Sequence, residues 1–163
     1  MATPSQPNAA DVRREQVREQ LWPGSSNEIF DRKKHDGYST VPRILSLILG
    51  LIEDLADKGK NSSRVYCELW FRCFDDKLVE VKDENEIAYA SGVTVRRWKE
   101  RIAELEKLGF VRTRPAGRLT YGYILLRNPY TVVKELIDAG KVQDANWLGA
   151  YTRRAAEIGY KLP

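Results

Sequence analysis

The sequence predicts a mainly α-helical fold of the α+β class with one small β-hairpin. Three observations carry this. Apolar residues recur at three- and four-residue steps in several separate windows, the signature of amphipathic helices. Two strand-like runs, Phe110–Arg114 and Leu119–Leu126, flank the turn-forming residues Pro115-Ala116-Gly117-Arg118. A glycine, Gly92, separates a short helical segment from a longer one.

The first 37 residues read as an arm. Pro4, Pro7, Pro23, Gly24, Ser25, Ser26 and Gly37 punctuate it, and one short helix fits between Ala10 and Trp22. Its apolar residues, Val12, Val17, Leu21 and Trp22, are too few for a core of their own. Such an arm is either mobile or docked on something else, and a protein partner is one expected role for it.

A globular part of residues 38–128 is expected to follow. Ser39 or Thr40 can cap a helix, with Pro42 in its first turn. Up to Asp57 the polar positions form one narrow stripe, and Ile44, Leu45, Leu47, Ile48, Leu49, Leu51, Ile52, Leu55 and Ala56 fill the rest. An apolar face this wide predicts burial from two sides, by the same domain and by a partner or second copy. Ser62 or Ser63 opens the next helix, which reaches about Phe74 with Tyr66, Leu69, Trp70, Phe71 and Phe74 as its apolar residues. Cys67 and Cys73 lie six apart there, about 9 Å along a helix axis and too far to bridge. Both read as small hydrophobes of a reducing compartment.

Val79-Glu80-Val81 is a short alternating strand. Asp83 and Glu86 form a capping-box-like start for a helix over Glu84–Ala90. Gly92 makes the turn, Thr94 caps the next helix, and Gly109 ends it after Leu108. Val95, Trp98, Ile102 and Leu105 form its inward face; Arg96, Arg97, Lys99, Glu100, Arg101 and Glu104 are expected outward.

Short helix, glycine turn, longer basic helix is the order of a helix-turn-helix. There the second helix offers hydrogen-bonding side chains at its N-terminal end to the major groove. Thr94, Arg96, Arg97, Lys99, Glu100 and Arg101 occupy those positions. Arginine can pair with guanine O6 and N7, and threonine can meet a thymine methyl or a phosphate. The charge distribution agrees. The whole chain carries +4, while residues 94–118 alone hold eight basic and three acidic side chains. Concentrated positive charge is the footprint of a polyanion binder.

With the basic hairpin that follows, residues 79–128 resemble the winged-helix superfamily of DNA-binding domains. The likeness rests on Glu86–Val93, on Trp98–Leu108 and on the step Leu108-Gly109-Phe110 from helix to hairpin. It implies a winged helix-turn-helix with extra N- and C-terminal helices, and places Arg112, Arg114 and Arg118 of the wing near phosphates or a minor groove. Tyr38–Arg43, the aromatic second helix and Asn128-Pro129-Tyr130 also resemble small DNA-binding proteins of bacterial plasmids and integrative elements.

Residues 129–163 are expected to add two helices. One spans Tyr130–Ala139; the other is capped by Asp144 or Asn146 and carries Trp147, Leu148, Tyr151, Ala155 and Ile158. They complete the core or build a dimer interface.

The catalytic inventory is poor. No phosphate-cradling glycine loop, Ser/His/Asp set or Cys/His metal spacing occurs. His35, the single histidine, lies in a charged run and reads as solvated. The expectation is therefore a non-enzyme without catalytic residues, metal or cofactor. Met1–Asn8 lacks the basic-then-apolar order of a secretory signal, and no apolar run is long enough for a bilayer. The expected protein is a cytoplasmic, nucleoid- or plasmid-associated homodimer that binds double-stranded DNA sequence-specifically. It would act as a bacterial transcriptional regulator or mobile-element control protein. The alternatives are a plasmid replication or partition protein, and a winged-helix protein adaptor without DNA.

Overall fold

A computed structural model describes residues 8–31, 33–34, 37–56 and 61–163. His35 lies outside them. The chain divides into two compact units, residues 1–38 and 39–163. Among the described residues the architecture is α+β: seven α-helices and one three-stranded antiparallel sheet. None of the helices is long and apolar enough to cross a membrane.

The first unit holds α1 (Ala9–Leu21) and a single 3₁₀ turn, Ser25–Asn27. Asn8 caps α1 by accepting the Asp11 amide at 2.8 Å. No α1 residue is buried, and Trp22 beyond its end is 64% exposed.

The second unit begins with α2 (Leu45–Leu55) and α3 (Ser62–Arg72). The expected caps, Ser39 and Thr40, lie too far upstream. Regular helix starts at Leu45 after one turn closed by Leu45 N–H on the Pro42 carbonyl, and no side chain caps it. Ile44, Leu45, Ile48, Leu51 and Ile52 are buried. The second cover predicted for α2 comes from the same chain, in α7 (Ala145–Glu157). Trp147 Nε1 donates to the Leu47 carbonyl at 2.9 Å, and Arg154 donates to the Arg43 carbonyl at 3.0 Å. Asp144, rather than Asn146, caps α7 by accepting the amides of Asn146 and Trp147.

On α3, Val65, Tyr66, Leu69 and Trp70 are buried. Phe71 and Phe74 are not: the helix ends at Arg72, and Phe74 beyond it is 80% exposed. Cys67 and Cys73 are free and half-buried, and burial pushes both thiols up.

The sheet joins β1 (Leu78–Glu80), β2 (Val111–Ala116) and β3 (Leu119–Leu126) in the order β1-β3-β2. Val79 and Thr113 flank Ile124, and Val111 pairs with Leu126, on the inner face. Arg112 pairs with Leu125, and Arg114 with Tyr123, on the outer face. The hairpin turn is shorter than expected. Strand β2 continues through Pro115 and Ala116, and only Gly117 and Arg118 turn. A register irregularity between Arg114 and Ala116 accommodates the proline. Gly122 lies opposite, where a β-carbon would collide with the Ala116 side chain.

Between β1 and β2 run α4 (Glu84–Ala90) and α5 (Val95–Leu108). After β3, α6 (Pro129–Asp138) is capped by Asn128, whose Oδ1 accepts the Tyr130 amide at 3.0 Å. The core is one cluster, with Trp98, Ile102 and Leu105 of α5 against Tyr66, Leu69 and Phe110 at its centre.

Candidate nucleic-acid interface

Asp83 caps α4 through the amides of Asn85 and Glu86, at 2.9 and 3.3 Å. The Glu86 side chain does not close the predicted capping box. It pairs instead with Arg72 of α3 at 2.6 Å, while Arg72 also holds Glu68 at 2.7 Å. The Arg72 guanidinium holds the Glu86 carboxyl below its ordinary value. These bonds fix α4 on α3.

At the α4–α5 turn, Gly92 has φ +73°, a conformation that favours glycine. The Thr94 hydroxyl accepts the Arg97 amide at 3.3 Å and starts α5. The amides of Val95 and Arg96 remain at the positive end of the helix dipole.

The outward residues divide. Arg96 and Arg97 are exposed in the first turn of α5. Arg96 touches Glu100 at 3.5 Å but its side chain stays 91% exposed, so that pair holds it weakly. Lys99 contacts Glu84 at 3.3 Å and links α5 to α4. Arg101 corrects the sequence reading: it is 5% exposed, not outward. Its Nη1 donates to Glu104 at 2.9 Å, and Glu104 also accepts the Ser62 hydroxyl of α3 at 2.8 Å. The helix rotation that puts Trp98, Ile102 and Leu105 into the core turns positions 101 and 104 toward α3. Arg101 therefore backs the Glu104 side chain that links α5 to α3, and is almost wholly withdrawn from solvent.

The hairpin runs back along α5. Phe110 leaves the helix C-terminus, and the Tyr121 ring of β3 meets the Trp98 ring of α5 edge-on at 6.3 Å. The Tyr121 contact with Trp98 shows that β3 crosses α5 near the first turn of that helix. Arg112 lies toward the other end. Its charge reaches Glu135 of α6, which binds Arg127 at 2.7 Å. Arg114 is exposed on the outer sheet face, where its guanidinium donates to the Thr113 carbonyl at 3.0 Å. Of the three hairpin arginines, Arg112 and Arg114 stand in β2 and Arg118 in the two-residue turn, all three exposed.

Other residues gather there without having been singled out. A depression of about 410 Å³ is lined by Asn61, Tyr89, Gly92, Val93, Thr94 and Arg97. Tyr89 is 87% exposed. The Arg64 guanidinium of α3 lies over Gly92, within 2.6 Å of where a β-carbon would stand. Tyr89 had a local signal, an aromatic residue on the solvent side of α4 directly before the glycine turn. Arg64 had none, because only the packing of α3 against α5 brings it to the turn.

Among the described residues no three His, Cys, Asp or Glu side chains gather where they could hold a metal ion. The start of α5 and the turn before it thus carry the exposed cations Arg64, Arg96 and Arg97 beside a projecting tyrosine. No family model, curated protein or solved structure matches the chain.

Proposed function

We propose that this protein binds double-stranded DNA sequence-specifically through a winged helix-turn-helix, as a regulator of transcription or of a mobile element's own control region. Helix α5 is the recognition helix, with Arg96 and Arg97 at base edges and Thr94 at a phosphate. The observation that carries the reading is the gathering of Arg64, Tyr89 and Arg97 at the α5 N-terminus. The chain order β1-α4-α5-β2-β3, with β1 paired beside β3, supports it further.

Physically, the exposed arginines and the α5 dipole supply attraction to phosphate. Specificity would come from the few side chains short enough and close enough to reach base edges. The test is selection of bound duplexes from a random pool, followed by a gel shift of the selected site across a salt series. A recovered consensus with affinity falling steeply with salt supports the reading. Retention of no duplex even at low salt refutes it. A symmetric consensus with half-sites about 34 Å apart indicates a homodimer, and direct repeats indicate copies arrayed as in replication or partition.

A further inference from the structure

A second depression, of about 420 Å³, lies where α3, the β3–α6 junction and the C-terminal segment meet. That volume lies in the range of small-ligand sites. Its walls include the rings of Trp70, Tyr130 and Tyr160, with Pro42, Lys77 and Asn128. Tyr160 stacks on Tyr130 at 3.7 Å with planes 13° apart. Trp70 and Tyr130 are themselves buried, so Tyr160, 37% exposed, offers the ring surface for a flat, apolar ligand.

The polar side of the depression is cationic. The Lys77 ammonium sits 5.8 Å from the centre of the Trp70 ring. Its hydrogen-bond acceptor is the Phe74 carbonyl at 3.5 Å. Among the described residues it is in no ion pair with a carboxylate, whereas the neighbouring Arg127 is committed to Glu135 and to the Gly109 carbonyl. Asn128 spends its Oδ1 on the Tyr130 amide, which leaves its carboxamide N–H groups as donors.

Lys77 is also backbone-strained. With φ +59° it is the one non-glycine residue of positive φ among the described residues. Its N–H donates to the Phe74 carbonyl at 3.0 Å and its carbonyl accepts the Leu126 amide at 2.9 Å, so both neighbours hold it there. A lysine kept where glycine or asparagine would fit better points to a use for its ammonium.

We propose that this depression binds a small planar aromatic carboxylate, its ring against Tyr160 and its carboxylate on Lys77 and Asn128. This goes beyond the DNA-binding reading and does not depend on it, because the binding is measured without DNA. The experiment is calorimetric titration of the full chain with 2-naphthoate, its neutral analogue 2-naphthamide and the non-aromatic cyclohexanecarboxylate.

The expected result is binding of 2-naphthoate at least tenfold tighter than of either analogue. Lys77→Gly should lose at least tenfold in 2-naphthoate affinity while unfolding at a higher urea concentration than the parent, since it relieves the backbone strain. Lys77→Asn, which also tolerates positive φ, serves if the glycine variant proves unstable. Tyr160→Ala should weaken 2-naphthoate more than cyclohexanecarboxylate. Absence of binding at millimolar 2-naphthoate, equal affinity for the amide, or an unchanged affinity in both Lys77 variants overturns the proposal.

Discussion

The guanidinium of Arg64 rests against Gly92 so closely that a β-carbon at position 92 would stand 2.6 Å from Arg64 Cζ. The contact joins α3 to the turn that orients α5. Two effects would oppose a side chain at that position. The left-handed backbone, φ +73°, costs a non-glycine residue about 1–2 kcal/mol. The collision is with the far end of a flexible side chain, which can move away cheaply. The backbone effect should therefore dominate. Gly92→Ala is expected to lose about 1–2 kcal/mol in urea denaturation, and the double variant with Arg64→Ala should recover little of it. Full recovery in the double variant would show that the collision is the larger effect.

Trp98 is fully buried and meets Tyr121 across the hairpin. Its Nε1 has no hydrogen-bond partner among the described residues. Truncation to alanine should act on folding, costing about 3–5 kcal/mol. Trp98→Phe should cost far less than Trp98→Ala, because it keeps a ring in the site and removes the orphaned donor. Comparing urea midpoints of the two variants checks this. Equal losses would mean that the indole N–H contributes to stability.

The order of the helices and the hairpin was legible, as were the boundaries that have a local cause. Asp83, Thr94 and Asn128 cap, Gly109 ends α5, and the period of Trp98, Ile102 and Leu105 sets its inner face. What the sequence could not show is long-range. A charged residue adjoining an inner face can be turned to solvent or toward another helix, and Arg101 went to Glu104, which itself accepts the Ser62 hydroxyl of α3. The cover for α2 lay a hundred residues away in Trp147. The return path of the hairpin along α5 set Arg118 and Arg112 at different ends, although both read alike as hairpin arginines.

Arg101 gives a direct test of that correction. Removing its guanidinium leaves Glu104 with the Ser62 hydroxyl alone in a partly buried site. Arg101→Ala should lose about 1–3 kcal/mol of stability, from the unpaired polar group and the lost packing of the side chain. DNA affinity of the folded fraction should stay within about twofold. A large loss of DNA affinity with unchanged stability would return Arg101 to the interface.

The ion pairs at Glu86 and Glu135 predict an acid limb. Arg72 holds the Glu86 carboxyl below its ordinary value, and Arg127 does the same to Glu135. A carboxyl whose folded value is depressed contributes stability above its unfolded value and loses it as pH falls through the folded one. Urea midpoints should thus fall below about pH 4.5. The gap between the parent and the Glu86→Gln, Glu135→Gln double variant should narrow there. A gap that stays constant from pH 7 to pH 3 would show that the pairs contribute no pH-linked stability.

The hairpin separates two readings of its own charge. Arg118 lies at the tip, whereas Arg112 lies at the base within electrostatic reach of Glu135. If the α5 end faces DNA, charge at the tip meets the sugar-phosphate backbone, which carries no sequence information. Each phosphate contact removed lowers the slope of log K against log salt by about 0.9. Arg118→Ala should therefore weaken binding to all duplexes alike and flatten the salt dependence by about that amount. Arg112→Ala should leave the slope unchanged. Arg96→Ala with Arg97→Ala should instead cost about 1–3 kcal/mol per base contact and relax the preferred sequence. Equal slope changes from Arg112 and Arg118 would mean that the outer sheet face, not the α5 end, lies on the DNA.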